Sequence, residues 1–172
     1  MAVRMELSRI LIRELNDYPL IELREVAAVE ESTDPEASRA GMVSQVEGGR
    51  SFPIVIGLPE AYAIERALKG TPVRRPQTHD LLANVLKIFG GKLEQIAITD
   101  LSEGTFYAEL SVRTSDGRLL KIDSRPSDAI ALGVAAGVPM FVEEHVLKGA
   151  QSDEKDEGKS GPDADGSGES EK

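Results

Sequence analysis

The chain has 172 residues, of which 40% are hydrophobic, enough for one domain with a proper core. Cysteine is absent and there are two histidines, which excludes a disulfide framework, a thiolate metal site and a His-rich metal site. The formal net charge is −10, and such an acidic chain should bind phosphate backbones only weakly through non-specific contacts. A local basic patch or a bound divalent cation could still reverse the charge at one site. No apolar run could cross a bilayer and the first residues lack an apolar signal core, so we expect a cytoplasmic protein without membrane contact.

The first third of the chain predicts strands separated by a long loop. Residues 7–15 and 20–29 read as two strands around the turn signal Asn16-Asp17-Tyr18-Pro19. Residues 30–49 are polar and include Asp-Pro and Gly-Gly pairs, which predicts a loop inserted into the domain. A short buried strand is predicted over residues 52–56.

Two helices are predicted next. The first opens at Pro59-Glu60 and ends at Gly70. The second is expected to have Thr78 as its cap and Asp80 in its first turn. Its apolar residues recur at helical spacing and predict a buried stripe: Leu81, Leu82, Val85, Leu86 and Phe89.

A hairpin follows, and its register can be predicted. Residues 92–101 and 105–114 read as strands, as do residues 119–122. A three-residue loop over 115–117 would pair Val112 with Leu120, apolar with apolar, whereas a two-residue loop would not. The same register places Glu109 opposite Asp123, two carboxylates that need a compensating proton, cation or arginine; Arg125 is the nearest candidate.

A dense polar segment, Asp123-Ser124-Arg125-Pro126-Ser127-Asp128, joins that last strand to a buried helix ending at Gly137. Pro126 suits a first helical turn, Ser124 is the expected cap, and Asp128 in the first turn is favoured by the helix dipole. A purely structural junction would explain all three residues.

The remaining chain completes one domain. Residues 138–142 predict a strand and residues 143–150 a short final helix. Residues 151–172 carry eight acids and three lysines, and we expect them to form a disordered acidic tail. The predicted architecture is therefore an α+β domain over residues 1–150, with a mixed, largely antiparallel β-sheet and helices packed against it.

Four stretches, taken in their order and spacing, match one protein family. They are residues 52–57 with Glu60-Ala61, Arg75-Pro76 with residues 78–82, residues 104–110, and residues 123–132. On these residues the chain resembles the bifunctional nuclease (BFN) domain, and it departs from that pattern at residues 30–49 and in the acidic tail. The resemblance implies an α+β fold, nuclease activity on RNA and DNA, and self-association. It implies no catalytic mechanism.

The candidate site residues are the polar groups at the matched positions. Carboxylates could hold Mg²⁺ or Mn²⁺, histidine could act as an acid or base, and arginine could bind phosphate. Against these roles, the helix dipole explains Asp80 and Asp128, and either arginine could simply pair a carboxylate such as Asp123 or Asp80. The catalytic candidates are His79, Asp80, Asp123, Arg125 and Asp128; the substrate-binding candidates are Arg75, Ser124 and Ser127; the metal candidates are Glu109 and Asp123.

Two functions follow as hypotheses. The first is a nuclease that hydrolyses phosphodiester bonds of RNA or DNA, through a divalent metal or through His/Asp chemistry. The second is a non-enzymatic binding or regulatory module in which the polar helix starts hold the fold together. The acidic charge and the low aromatic content, 4%, favour the second, and the family resemblance favours the first.

Overall fold

A computed structural model describes residues 1–12, 18–26 and 49–157, with side chains described as far as residue 151. The described elements form an α+β fold, as predicted. In chain order they are β1 (Ala2–Leu11), β2 (Leu20–Glu25), β3 (Ser51–Val55), α1 (Leu58–Lys69), α2 (Thr78–Ile88), β4 (Lys92–Ser102), β5 (Thr105–Arg113), β6 (Leu119–Ser124), α3 (Pro126–Ala136), β7 (Met140–Glu143) and α4 (Glu144–Glu157).

The strands form one seven-stranded sheet in the order β3-β2-β1-β7-β4-β5-β6. Every neighbouring pair is antiparallel except β4 and β7, which run parallel. The prediction of a mixed, largely antiparallel sheet is confirmed. β3 and β6 are the two edges, so the polar segment after β6 begins at an edge of the sheet.

The sheet curls around its core. Phe52 of β3 stacks on Phe106 of β5 with ring centroids 5.5 Å apart, although four strands separate β3 from β5 in the sheet. Only a strongly curved sheet can bring these rings together, and twist of the normal hand gives such curvature. The concave side is filled by apolar side chains from most strands and from α1, α3 and α4.

α3 is the central helix of the fold. It packs on β4 and β5, and α1 packs on α3 rather than on a strand. Gly133 permits the close approach, because a Cβ at that position would lie 3.2 Å from the side chain of Ile96. α3 therefore holds the starts of the outer helices near its own. Among the described helices, none is long and apolar enough to cross a membrane.

The β5–β6 hairpin has the predicted register. Val112 pairs with Leu120, and Glu109 pairs with Asp123. Gly117 has φ +85°, the left-handed conformation that the three-residue loop requires.

Two predicted boundaries differ from the structure. β1 begins at Ala2 rather than at residue 7, because its first residues pair with β7 from Ala2↔Glu143 to Met5↔Met140. Helix α4 continues to Glu157, past the predicted end at residue 150, because no glycine or proline interrupts the chain between Gly149 and residue 158. Residues 151–157 of the predicted disordered tail are therefore helical. The rest of that tail, residues 158–172, lies outside the described part of the chain. So do residues 13–17 and 27–48, and the second range holds nearly all of the predicted 30–49 loop.

The predicted burial of α2 is wrong. The helix has no buried residue, and Leu81, Leu82, Val85 and Phe89 are exposed by 38–82% of their surface. Leu86 alone of the predicted stripe packs against the core. The spacing correctly predicted an apolar helix, but spacing does not say what covers it.

Candidate functional site

Three helices begin close together on one side of the molecule, and each has an acidic residue in its first turn. These residues are Glu60 of α1, Asp80 of α2 and Asp128 of α3. The partial positive charge of a helix N-terminus favours an anion there. Prolines lie in the first turns of α1 and α3, as the sequence predicted for Pro126.

Arg125 joins two of these helix starts. Its Nε donates to Asp128 Oδ2 over 2.7 Å, and its Nη2 donates to Asp128 Oδ1 over 3.1 Å and to Glu60 Oε1 over 3.0 Å. Arg125 therefore does pair with carboxylates, but not with the expected Asp123 or Asp80. Its Nη1 has no hydrogen-bond partner among the described residues, and the side chain is 67% exposed, so two N–H donors remain available to a ligand.

His79 joins the third helix start to the same carboxylate. Its Nε2 lies 3.0 Å from Asp128 Oδ1, and its side chain is only 17% exposed. Burial tends to raise the pKa of Asp128, but hydrogen bonds from Arg125 and His79 outweigh it and hold the pKa below the ordinary value. A carboxylate that stays ionised can accept a hydrogen bond from the Nε2–H of His79, and the Nδ1 atom of the ring is then free to accept a proton.

Asp80 belongs to a neighbouring cluster. Its Oδ2 accepts from the backbone N–H of Gln77 over 2.9 Å and from Arg66 Nη2 over 3.1 Å. Gln77, not Thr78, is the N-cap residue, and Thr78 is the first residue of the helix. The predicted cap at Thr78 is wrong because the carboxylate three residues after Gln77 already satisfies the free backbone donor.

The two serines of the polar segment do not cap α3. Arg125 is the N-cap residue and makes no capping bond through its side chain, while Ser124 Oγ donates to the Arg125 carbonyl over 3.0 Å. The predicted cap at Ser124 is therefore wrong. Ser127 is 7% exposed and lines a cleft together with Arg125.

Glu109 and Asp123 lie opposite each other on β5 and β6 and make no hydrogen bond with His79, Arg125 or Asp128. Lys121, not Arg125, compensates the charge of Glu109, because Lys121 Nζ donates a hydrogen bond to the Glu109 carboxylate. Lys121 is two residues before Asp123 and shares its face of the strand, which makes it the nearer cation. Asp123 is exposed and makes no hydrogen bond or ion pair with any described residue.

Two clefts adjoin the cluster. The larger, about 540 Å³, is lined by Arg125 and Ser127 together with Phe106 and the end of β3. The smaller, about 240 Å³, is lined by His79, Asp80 and the small residues of α1 and α3. The polar groups that converge on Asp128 therefore face two open spaces, the larger of which falls in the size range of ligand pockets.

The comparison with known families agrees with this fold. The sequence profile of the bifunctional nuclease domain matches residues 42–155. The chain belongs to this family. It is also similar to two uncharacterised proteins of Mycobacterium tuberculosis, MT1877 of strain CDC 1551 / Oshkosh and Rv1829 of strain ATCC 25618 / H37Rv. Each is 40% identical over 126 residues, which cover 72% of this chain and 74% of the relative.

The described residues of this bifunctional nuclease domain do not fit a resident divalent cation. Among the described residues, no three acidic or histidine side chains converge as metal ligands. Glu109 is neutralised by Lys121, and Asp128 and Glu60 are neutralised by Arg125. Mg²⁺ and Mn²⁺ favour oxygen ligands, which an adjacent cation would compete for.

One feature of the domain escaped the sequence analysis. Residues 66–79 hold two arginines in the loop, Arg66 and Lys69 in α1, and His79, with no acidic residue at all. In a chain of net charge −10, this stretch has a formal charge of +4, although Arg66 and Lys69 pair with Asp80 and Glu65 in the structure. Arg75 lies in it, exposed, five residues from Asp80. Counting charge in windows would have found it, whereas the average over the whole chain did not.

Proposed function

We propose that this bifunctional nuclease domain hydrolyses phosphodiester bonds of RNA and DNA at the cluster formed by His79, Asp128 and Arg125. The observation that carries the proposal is that His79 and Arg125 both bind the carboxylate of Asp128. Arg125 lies 3 residues before Asp128, at the start of the same helix, whereas His79 lies 49 residues before it, at the start of α2. An imidazole held by a carboxylate beside a partly free guanidinium provides both a proton acceptor and a phosphate-binding group.

The reaction is a hydrolysis with water as the nucleophile. Asp128 stays ionised, accepts a hydrogen bond from His79 Nε2–H and fixes the ring, so that Nδ1 takes a proton from the attacking water. A P–O bond forms to the water oxygen, and the bond from phosphorus to the leaving ester oxygen breaks. The leaving oxygen takes up a proton from a solvent water, and His79 then releases the proton on Nδ1 to solvent, which restores the neutral ring. The free Nη1 donors of Arg125 stabilise the charge on the phosphate in the transition state.

The local charge supports a polyanionic substrate. Of the four cationic side chains of residues 66–79, Arg66 and Lys69 pair with Asp80 and Glu65. Arg74 and Arg75 lie in the exposed α1–α2 loop and have no ion-pair partner among the described residues. Such a patch attracts a phosphate backbone even when the rest of the chain is acidic. The proposed substrates also agree with the cytoplasmic location predicted from the sequence.

The test compares matched histidine variants. His79 and His145 each place Nε2 against an aspartate Oδ1, at 3.0 Å and 3.2 Å, but His145 is 62% exposed and its partner, Asp100, does not bind Arg125. His79→Gln should lower the cleavage rate of single-stranded RNA and DNA by about 100-fold or more, the usual contribution of a general base. His145→Gln, purified identically, should retain the wild-type rate, which controls for contaminating nuclease.

A second series tests the metal-free form of the proposal. Activity should persist in excess EDTA, and Arg125→Lys should lower it, since lysine lacks the paired donors of arginine. Circular dichroism must show that each variant is folded. Equal rates in wild type and His79→Gln, or complete loss of wild-type activity in EDTA, would contradict the proposal.

One observation favours the alternative, a non-enzymatic binding or regulatory module. The carboxylates of Glu60, Asp80 and Asp128 are all hydrogen-bonded within the chain, as in a junction that only holds helices together. In that case purified wild type would cleave neither RNA nor DNA, and His79→Gln would change only the stability.

A further inference from the structure

The exposed apolar residues of the outer helix and the edge strand form one surface. In α2 and at its C-cap, five large apolar side chains are exposed by 38–82%, and two more, on one face of β6, are exposed by 37–41%. We call this the α2–β6 surface; its members are Leu81, Leu82, Val85, Ile88, Phe89, Leu120 and Ile122. Large apolar side chains in such a group are characteristic of interaction sites.

The two parts of the surface lie side by side. The start of α2 is fixed at Asp128, just after β6 ends, through the bond from His79. The end of α2 is fixed at β5, where a Cβ on Gly91 would lie 3.0 Å from Val112, and Val112 pairs with Leu120 at the start of β6. α2 therefore runs along β6, antiparallel to it, on the face that carries Leu120 and Ile122.

β6 is also an edge strand with free backbone groups. Within the described part of the chain it has β5 on one side and no strand on the other. The hairpin closes through a bond from the Thr114 N–H to the Arg118 carbonyl, so residue 118 points its backbone groups inward. Because these groups alternate along a strand, the backbone N–H and C=O groups of Leu119, Lys121 and Asp123 point away from β5, toward the open edge. Such an edge is able to accept another strand.

The sequence of β6 is complementary to itself. In an antiparallel pair of two identical strands, directly opposite residues must lie on the same face, so the two-fold axis passes between one residue and its own copy on the other strand. With the axis at Ile122, Ile122 meets its own copy, and Lys121 of each strand lies opposite Asp123 of the other. With the axis at Lys121, two like charges would face each other, which is unfavourable.

We propose that this protein forms a two-fold symmetric dimer by antiparallel pairing of β6 with β6 of a second copy, centred on Ile122. Two seven-stranded sheets then join into one. Because the axis is perpendicular to the sheet, both α2 helices lie on the same face and pack against each other across it. The pairing satisfies the outward backbone groups, gives Asp123 a cationic partner and covers the apolar residues of the α2–β6 surface.

The second copy is the occupant that the charges favour. Asp123 has no partner among the described residues of its own chain, and the pairing supplies one on each side of the axis. A different protein binding here would need its own matching strand, whereas this chain already carries one. Binding of an unrelated partner is the outcome in which the isolated protein stays monomeric.

The first experiment is sedimentation equilibrium of the full chain at micromolar concentrations. The expected mass is twice the 18.5 kDa of one chain. A monomer over the whole range, up to about 100 μM, would overturn the proposal, since stable dimer interfaces normally associate well below that concentration.

A charge exchange tests the pairing itself. Asp123→Lys keeps the fold, because the new lysine faces Glu109 of its own chain, but it places two lysines opposite each other across the axis. The dimer dissociation constant should rise by about tenfold or more. The double variant Lys121→Glu/Asp123→Lys should restore wild-type association. Failure of either result in folded protein would overturn the pairing centred on Ile122.

A matched pair of surface variants tests the helical half. Phe89→Ser, at the exposed end of α2, should weaken the dimer by about tenfold or more, whereas Tyr62→Ser, on α1 and 55% exposed, should not. Phe89 is 82% exposed in the single chain, so its replacement should leave the fold intact. An equal effect of both variants, or no effect of Phe89→Ser, would count against the proposal.

Discussion

His79 Nε2 lies 3.0 Å from Asp128 Oδ1, and this bond fastens the beginning of α2 to the beginning of α3. α2 contributes no buried residue to the core, so few apolar contacts compete with the bond in positioning the helix. The same carboxylate holds Arg125, which makes Asp128 the group on which three helix starts depend.

Asp128→Asn should lower the melting temperature at pH 7 by about 2–4 °C. The pKa of Asp128 is lowered in the folded state, so its contribution is fully present above the ordinary value of 3.8 and is lost as the pH falls through the folded-state pKa. The difference between variant and wild type should therefore shrink below about pH 4. Melting curves from pH 2.5 to 8 measure it. The control is Asp100→Asn, at an aspartate 56% exposed beside His145; an equal loss there would contradict the prediction.

Arg50→Gln should destabilise the contact between β2, β3 and α4. Arg50 donates to Glu25 Oε2 and to Glu144 Oε1, each over 2.8 Å, and thereby connects β2, β3 and α4. These hydrogen bonds lower the pKa of both glutamates, so their stabilising effect is present above about pH 4.5 and disappears in acid. We expect a fall in melting temperature of about 2–4 °C at pH 7 and less at pH 3.

The matched control for Arg50 is Arg118→Gln, whose guanidinium pairs with Asp116 in an exposed turn, 72% and 55% accessible. Exposed ion pairs contribute little to the free energy of unfolding, so this variant should have the melting temperature of the wild type. Equal effects of the two arginine variants would show that the Arg50 network has no special role.

Phe52→Ala should cost about 3–5 kcal/mol of unfolding free energy, because it removes a fully buried ring from the contact that closes the curled sheet. Urea unfolding followed by circular dichroism measures the change. Tyr62→Ala, at an aromatic residue that is 55% exposed, should change the free energy by less than about 0.5 kcal/mol. A loss below about 1 kcal/mol for Phe52→Ala would mean that the Phe52–Phe106 stack does not close the sheet.

Gly117→Ala should cost about 1–2 kcal/mol, because φ is +85° in the β5–β6 turn and a Cβ there is strained even though no other atom is near. Gly117→Asn should cost less, since asparagine tolerates the left-handed region better than alanine. The measurement is again urea unfolding. The reverse order of the two variants would point to a contact in the turn rather than to backbone strain.

That turn is also where the sequence was most informative. Alternating apolar residues allow only one register in which Val112 meets Leu120, so strand pairing followed from side-chain chemistry over a short loop. The lengths of β4 and β5 and the ends of α1 and α3 followed equally from local signals, since Gly70 and Gly137 both adopt the left-handed conformation that ends a helix.

The features that escaped prediction depend on distant parts of the chain. The partners of Arg125 include Glu60, 65 residues earlier, and no local pattern specifies which acid an arginine will meet. β1 begins early because β7 pairs with it, and α2 stays uncovered although its periodicity is typical of a buried helix. Local rules determine where an element forms, whereas the surrounding elements determine its partners and its burial.

The central pairing of β1 with β7 affects how this protein is made. Met5 contacts Met140, so two strands that leave the ribosome far apart in time become neighbours in the middle of the sheet. At about 5–20 residues per second, the first strand waits roughly 7–28 s for the last. Strands β1 to β3, and likewise β4 to β6, follow one another along the chain and can pair at once within each group, since local contacts form early. During synthesis, therefore, β1 and β4 each keep an unpaired edge until β7 is made. That interval is when the nascent chain most needs protection from aggregation.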